Sequence, residues 1–340
     1  MAGAFGFKGC QKIRGAQIRG LLEAKDFFLF DCDGVIWHGE NAITGAAKVV
    51  NALIRRGKNV VFVTNNSTRP RENYVNKFTR LGFTDVMLDQ IFSSSYCSAL
   101  YLRDVVKVRG QVFVIGCEGL RMELLEAGIP CVEETDDPDA TIYNCALAPD
   151  VKAVLVGHDD KLTFLKLAKA SCYLRDPECL FLATDNDPWH PLSGGRILPG
   201  MMMVVRVLKL DPVTIGSFKL RSTHISSGSL TAALEVASGR KATVIGKPSC
   251  FMFECISSQF RGVDPAQCLM VGDRLETDML FGSNCGLDTM LTLTGVSQIE
   301  EAQEYRNSDL TTNHSYVPDY VVDTIADFLP AFEDMEEQND

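Results

Sequence analysis

No two cysteines are spaced C-x-x-C, although the chain carries twelve of them, scattered singly. That pattern argues against a cysteine-rich zinc site and against a disulfide framework of the kind that staples small secreted domains. No apolar run reaches 18 residues, so nothing is long enough to cross a bilayer as a helix. The opening stretch, MAGAFGFKGCQKIRGAQIRG, has no apolar core of signal-peptide length. Positive charge is short as well: 33 Lys and Arg against 44 Asp and Glu give a net charge of -11. Such a balance disfavours nucleic acid or an anionic membrane as the main partner. A phosphorylated small molecule is not disfavoured, because a local field in a cleft can oppose the net charge. Internal repeats and low-complexity segments are missing too. The expectation is a cytoplasmic protein of 340 residues, a length that predicts two domains.

Short apolar runs alternate with amphipathic helical patterns. FFLF at 27–30 is followed by GAAKVVNALIRRG, where Val49 and Leu53, then Val50 and Ile54, recur at helical spacing and Gly57 ends the helix. NVVFVTNNS and RENYVNKFTRLG repeat the rhythm. It resumes late with KATVIGKPS, a helix at 250–260, CLMVGD, a helix at 276–285, DTMLTLTG and DYVVDTIADF. Strands that read as continuous apolar runs are those buried on both faces. The pattern therefore predicts an α/β protein with a doubly wound parallel sheet. Between these blocks lie QVFVIG, KAVLVGHDD and CLFLATDNDPWHP, with helices at 118–126 and 163–175. They predict a second α/β domain at 107–241 inserted into the first, which comprises 20–106 and 242–332.

Ligands of doubly wound sheets bind beyond the carboxyl ends of the strands. Four such ends are polar here: Asp31-Cys32-Asp33, Thr64-Asn65-Asn66-Ser67, Gly246-Lys247-Pro248, and Gly272-Asp273 with Asp278 five residues on. Each alone has a plain alternative. D-x-D-G forms turns, Thr64 to Ser67 can cap a helix, Lys247 can be solvated, Asp273 can be an N-cap and Asp278 a surface residue. Together they describe a phosphoryl-transfer site. A carboxylate can attack phosphorus and give an aspartyl-phosphate. A Mg²⁺ held by Asp31, Asp273 and the Asp33 carbonyl would cancel the repulsion between that carboxylate and the anionic ester. Lys247 and the groups around Thr64 and Asn65 would face the phosphoryl oxygens. Asp33 would protonate the leaving alkoxide and then deprotonate the attacking water.

DCDGVIW, TNNS, IGKPS and GDRLETD resemble the four motifs of the haloacid dehalogenase superfamily, in its phosphatase branch. The resemblance implies a HAD-like Rossmannoid core with an α/β cap domain. It implies Asp31 as nucleophile, Asp33 as acid/base, Thr64, Asn65 and Asn66 as phosphate binders, Lys247 as charge clamp, Asp273 as Mg²⁺ ligand and Asp278 as the residue that orients the metal shell. LRDPECLFLATDNDPWHPLSGGRILPG, GSLTAALEVASGRKATVIGKPS, MFECI and LMVGDRLETDMLFG narrow it further. They are similar to the 4-nitrophenylphosphatase-like group, in which animal pyridoxal phosphate phosphatase and phosphoglycolate phosphatase share one layout. The implied substrate is a small phosphorylated metabolite: pyridoxal 5'-phosphate first, 2-phosphoglycolate second. His190, a loop histidine between prolines, would then face the substrate from the cap, and a homodimer through the cap is the implied assembly. The rival from another class is a non-catalytic or regulatory interaction protein of the same fold. Its signature, a missing nucleophile or lysine, is not found here.

Two departures bear on the substrate. Val156-Gly157-His158-Asp159 stands where the group often has V-G-Y-D. The group's P-G-T-G-S-L is split, with Pro199-Gly200 parted from Gly228-Ser229-Leu230 by an insertion at about 201–226. Insertions at loops cost little closure entropy, but this one is apolar enough to need burial or a partner. It is expected to disturb the cap more than the core. On deleting Met201–Ser226, a large gain in activity would mean that the segment impairs the cap, and equal activity and thermal stability of the two forms would make it a passenger.

Overall fold

The computed structural model describes residues 9–133, 141, 143–187, 189–191, 197–199 and 227–332, with backbone alone at 189–191 and 197–199. The insertion at 201–226 and the side chain of His190 lie outside the described residues. By contacts the chain divides into two compact units. The first comprises residues up to Thr64, Glu72–Phe92, and Lys247 onward; the second comprises Asn65–Arg71 and Ser93–Gly246.

The described strands are, in chain order, β1 Gln11–Lys12, β2 Phe27–Phe30, β3 Trp37–His38, β4 Asn41–Ala42, β5 Asn59–Thr64, β6 Ile91–Ser93, β7 Gln111–Ile115, β8 Val151–Val156, β9 Leu180–Ala183, β10 Trp189–Pro191, β11 Ile197–Pro199, β12 Thr243–Val244, β13 Cys268–Gly272, β14 Asp288–Thr292 and β15 Tyr320–Val322. The first unit is built on a seven-stranded sheet in the order β1-β15-β14-β13-β2-β5-β6. Its central strands are parallel, and Phe30 lies between Val271 of β13 and Phe62 of β5. That register brings three strands to their carboxyl ends side by side, so Asp31, Thr64 and Asp273 leave the sheet along one edge.

Both faces of this sheet are covered. Phe28, Phe30, Val60, Phe62, Leu269 and Val271 pack in one cluster with Ile18 and Leu22 of the helix Ala16–Ala24, Val49 and Leu53 of the helix Ala46–Arg55, and Tyr74 and Phe78 of the helix Arg71–Arg80. Leu291 and Val321 join Leu275, Met279 and Ala302 in a separate cluster. Two covered faces leave no position where a polar residue can reach water, which is why FFLF and VVFV alternate no polar residues. An aromatic group closes the first cluster: Phe78 lies 4.2 Å from Phe62, 4.8 Å from Trp37 and 5.2 Å from Phe83, ring centre to ring centre.

The second unit holds a four-stranded parallel sheet, β12-β9-β8-β7. Phe113, Ile115, Val154, Val156 and Phe181 pack on Leu230 and Leu234 of the helix Ser227–Ser238. Val112, Val114, Ala153 and Leu155 pack on Leu120 and Leu124 of the helix Glu118–Glu126. One expectation is corrected here. KATVIG reads as a core strand, but Thr243 and Val244 pair with Leu182 and Ala183 and form the edge of the smaller sheet. Thr243 is exposed and Val244 half-buried, as an edge position allows, and the partner such a run finds is decided by the rest of the chain. Strands β1 and β6 have no counterpart in the sequence pattern described above, because two- and three-residue strands carry too little periodicity; the helix Ala16–Ala24 has none there either.

Replacing Phe78 by Ala would remove the ring at the centre of the aromatic group. Such truncations cost about 3–5 kcal/mol, so Phe78→Ala should show a clearly lower midpoint in urea unfolding.

Candidate active site

The turn after β2 is tight. The Cys32 carbonyl accepts hydrogen bonds from the amides of Val35 (3.4 Å), Ile36 (2.9 Å) and Trp37 (3.1 Å). Asp31 is held at the strand end by its own amide, which donates to the Val271 carbonyl at 2.9 Å. Gly34 follows with φ of 92°, and a β-carbon there would overlap the Asp273 carboxylate. Gly295 abuts the same carboxylate from the loop after β14. Glycine is needed at Gly34 for both reasons, the positive φ and the close approach.

Lys247 lies at the centre. Its ammonium donates to Asp31 Oδ1 at 2.7 Å, to Asp278 Oδ1 at 2.6 Å and to the Val63 carbonyl at 2.8 Å. Lys247 is 2% exposed, Asp278 1%, Asp273 4% and Asp31 8%. A buried ammonium in an apolar site would lose its proton, and burial does work against it here. Asp278 and Asp31 overcome that and raise the lysine pKa above its usual value, so the side chain is charged. Asp278 is fixed from both sides. Its Oδ2 accepts from the amides of Asp273 and Arg274, each at 3.1 Å. The chain reaches it through a widened turn in which the Arg274 carbonyl accepts from Asp278 N (3.0 Å) and Met279 N (3.3 Å). Widened turns of this kind recur at functional sites.

Three carboxylates, Asp31, Asp273 and Asp278, offer oxygens within 4.8 Å of one another. Burial, with Asp278 and Asp273 adding to it against Lys247, pushes the Asp31 carboxyl well above the usual aspartate value. Burial, then Asp278, pushes Asp273 up to about 7. The Lys247 ammonium and, at Asp273, the Arg274 guanidinium offset only part of this charge. The three carboxylates do not offer themselves equally to a cation. Both oxygens of Asp278 are engaged, by Lys247 and by two amides. Asp31 gives one oxygen to Lys247, and Asp273 gives Oδ2 to the Val296 amide at 2.8 Å. Among the described residues no donor meets the second oxygen of either. Two hard oxygen donors with unmet negative charge suit a Mg²⁺- or Ca²⁺-like ion. Asp278 suits the role of support for Lys247 and the Asp273 backbone.

Of the other residues singled out from the sequence, Thr64 is buried at the end of β5. Asp33 is half-buried and its Oδ1 accepts the indole N–H of Trp37 at 3.0 Å. Asn65 and Asn66 belong by contacts to the second unit. There the Asn65 amide donates to Asp187 Oδ1 at 3.3 Å, while Asn66 Oδ1 accepts from the Thr68 amide (3.0 Å) and hydroxyl (2.7 Å). His190 pairs through its backbone with Leu198. Gly34, Gly295 and Trp37 were not singled out by sequence reasoning. A glycine next to an acidic strand end is the signal that could have flagged Gly34; Gly295 follows Thr292, Leu293 and Thr294 and carries no such mark, and the indole contact leaves no local trace.

A family model described as haloacid dehalogenase-like hydrolase matches residues 28–130, and a HAD-hydrolase-like model matches 244–328. These segments carry the strand ends just described. Chronophin of Homo sapiens is 46% identical over 329 residues, 96% of this chain and 99% of the relative. Glycerol-3-phosphate phosphatase of Gallus gallus is 40% identical over 337 residues, 97% of this chain and 99% of the relative. The solved p-nitrophenyl phosphatase of Archaeoglobus fulgidus superposes with a TM-score of 0.68 at 26% identity, covering 90% of this chain and 99% of that one. The chain belongs to the haloacid dehalogenase-like hydrolases. Within them it is a phosphatase, a phosphoric monoester hydrolase with the family's parallel α/β core. No helix among the described residues is long and apolar enough to cross a membrane.

Lys247→Met would leave buried carboxylates without their ammonium. Removing one partner of such a network costs about 3–5 kcal/mol, so this variant should unfold at markedly lower urea than wild type. A loss below about 1 kcal/mol, the range of surface ion pairs, would show that the carboxylates do not depend on it.

Proposed function

We propose that the chain is a Mg²⁺-dependent phosphatase that works through an aspartyl-phosphate on Asp31, with pyridoxal 5'-phosphate as its substrate. The observation that carries this is the Lys247 ammonium, held between Asp31 and Asp278 where the central strands end. Asp31 attacks phosphorus as the bond to the leaving alkoxide breaks, and Asp33 gives the alkoxide its proton. Asp33 then takes a proton from water, the water oxygen attacks the phosphoryl group, and Asp31 is restored as inorganic phosphate forms. Lys247 offsets the charge of nucleophile and ester and, with Thr64, Asn65 and Asn66, faces the phosphoryl oxygens. Held by Asp31, Asp273 and the Asp33 carbonyl, Mg²⁺ would supply positive charge to those oxygens. Asp278 keeps Lys247 and the Asp273 backbone in place. His190 contacts the substrate beyond its phosphate, from the domain at 107–241.

The substrate rests on the resemblance of LRDPECLFLATDNDPWHPLSGGRILPG and GSLTAALEVASGRKATVIGKPS to animal pyridoxal phosphate phosphatase. The 40% identity to a glycerol-3-phosphate phosphatase favours glycerol 3-phosphate as a second ester, and 2-phosphoglycolate remains the alternative implied by sequence. Assembly as a homodimer through the smaller domain and a cytoplasmic location complete the proposal.

Phosphate release should be measured with Mg²⁺ across pyridoxal 5'-phosphate, 2-phosphoglycolate, glycerol 3-phosphate and nucleotides. Pyridoxal 5'-phosphate is expected to give the highest kcat/KM, and a higher value for another ester would reassign the substrate. Asp31→Asn should lose nearly all turnover, and wild-type rates in that variant would remove Asp31 as the nucleophile. Chelation of divalent cations should abolish activity, and added Mg²⁺ should restore it.

A further inference from the structure

We propose that Trp37 is a positioning residue for the acid/base carboxyl of Asp33, and that Lys77 strengthens its hold. The inference rests on the aspartyl-phosphate reading and adds residues that reading does not use. The coil from Cys32 to Trp37 brings the indole back over the acid. Three amides converge on the Cys32 carbonyl, the Gly34 amide donates to the Trp37 carbonyl at 2.8 Å, and Asp33 and Trp37 pair as a parallel bridge. Nε1–H of Trp37 then donates to Asp33 Oδ1 at 3.0 Å. Trp37 is fully buried, and a buried indole N–H requires an acceptor. The acceptor it finds is the one acid in the coil that the chemistry needs with its proton aimed at the substrate.

The surroundings of the indole ring are built for the same end. Lys77, itself buried, places its ammonium 3.8 Å from the centre of the Trp37 ring. Tyr74 stacks on the ring at 6.2 Å and Phe78 packs against it at 4.8 Å. A cation over the ring draws electron density from the indole and makes its N–H a stronger donor. Any buried indole needs an acceptor for its N–H, but packing alone calls for no buried ammonium over its ring.

The consequence is specific. The carboxyl torsion of an aspartate is broad and roughly two-fold. A donor fixed on Oδ1 selects one orientation and leaves the carboxyl proton to Oδ2. Asp33 then presents the same oxygen to the leaving group in each turnover. The benefit depends on the ester: an alkoxide must receive a proton as it leaves, whereas 4-nitrophenolate leaves without one.

The test compares kcat/KM, which reports steps through departure of the leaving group, for two esters. One is 4-nitrophenyl phosphate. The other is an alkyl phosphate that the wild type cleaves, pyridoxal 5'-phosphate or glycerol 3-phosphate. Trp37→Phe keeps a ring for packing and removes the N–H. It should lose about 10-fold or more on the alkyl ester, within the range general acids supply, and less than about 2-fold on the nitrophenyl ester. Equal losses on both esters, or none on the alkyl ester, would overturn the proposal. Should Trp37→Phe fail to fold, Lys77→Met retains the indole and is expected to show a selective loss of about 3-fold on the alkyl ester, restored by Lys77→Arg. Equal losses in Lys77→Met would overturn it equally. Wild-type turnover in Asp31→Asn would instead sink the covalent reading beneath it, so the two failures are distinct.

Discussion

Everything at this site depends on keeping one ammonium charged inside the protein. Lys247 is almost wholly shielded from water, and an isolated lysine there would give up its proton. Asp31 and Asp278 prevent that, and in return the ammonium makes their own burial tolerable. The pairing is incomplete by design of the charges: Asp273 remains close by with its carboxyl pushed up to about 7 by burial and by Asp278. A site with acidic groups in excess of cations is poor as a structural ion pair and well suited to taking up a metal and an anionic ester together.

Glycine and backbone amides give this electrostatics its shape. Gly34 and Gly295 let the backbone close against the Asp273 carboxylate, and the amides of Asp273 and Arg274 hold Asp278. Side chains held by main-chain groups of strands and turns lose little freedom when substrate arrives, which is what positioned catalysis requires. Asp33 is held by the indole of Trp37, in a coil that the Cys32 carbonyl ties together. The thiol of Cys32 lies beside two acids yet is buried, and burial raises its pKa well above that of a free cysteine. It is a packing group with little thiolate character.

The second unit is a self-contained α/β layer with apolar clusters on both faces of its sheet. Asn65 to Arg71 count among its residues, so the segment that follows β5 is anchored there. Arg71 is secured by Glu123, which accepts from its amide at 2.8 Å and its Nε at 3.1 Å, and by the ring of Tyr96, 3.4 Å from the guanidinium. Ser94 and Ser95 donate to the carbonyls of Asn65 and Ser67 at 2.7 and 3.1 Å. Asn65 to Arg71 are thus held by residues of their own unit.

The chain's α/β class was legible without coordinates, since strands covered on both faces must be apolar throughout and their helices must repeat every three to four residues. Equally legible were the polar strand ends around Asp31, Thr64, Lys247 and Asp273, because carboxylates at the exit of a buried strand need a reason. The pairing of Lys247 with both Asp31 and Asp278 joins residues 216 and 31 positions apart, and local pattern carries no information over such distances. The same holds for the edge strand Thr243–Val244, whose extended character is written in its residues while its partner is not. The indole of Trp37 reaches Asp33 only through the coil that the Cys32 carbonyl organises. Composition and periodicity are properties of neighbours along the chain, and they determined which segments are buried and which residues are chemically unusual. Which of those residues meet was decided by the tertiary structure, because desolvation and Coulomb interactions act through space and have no fixed spacing in sequence.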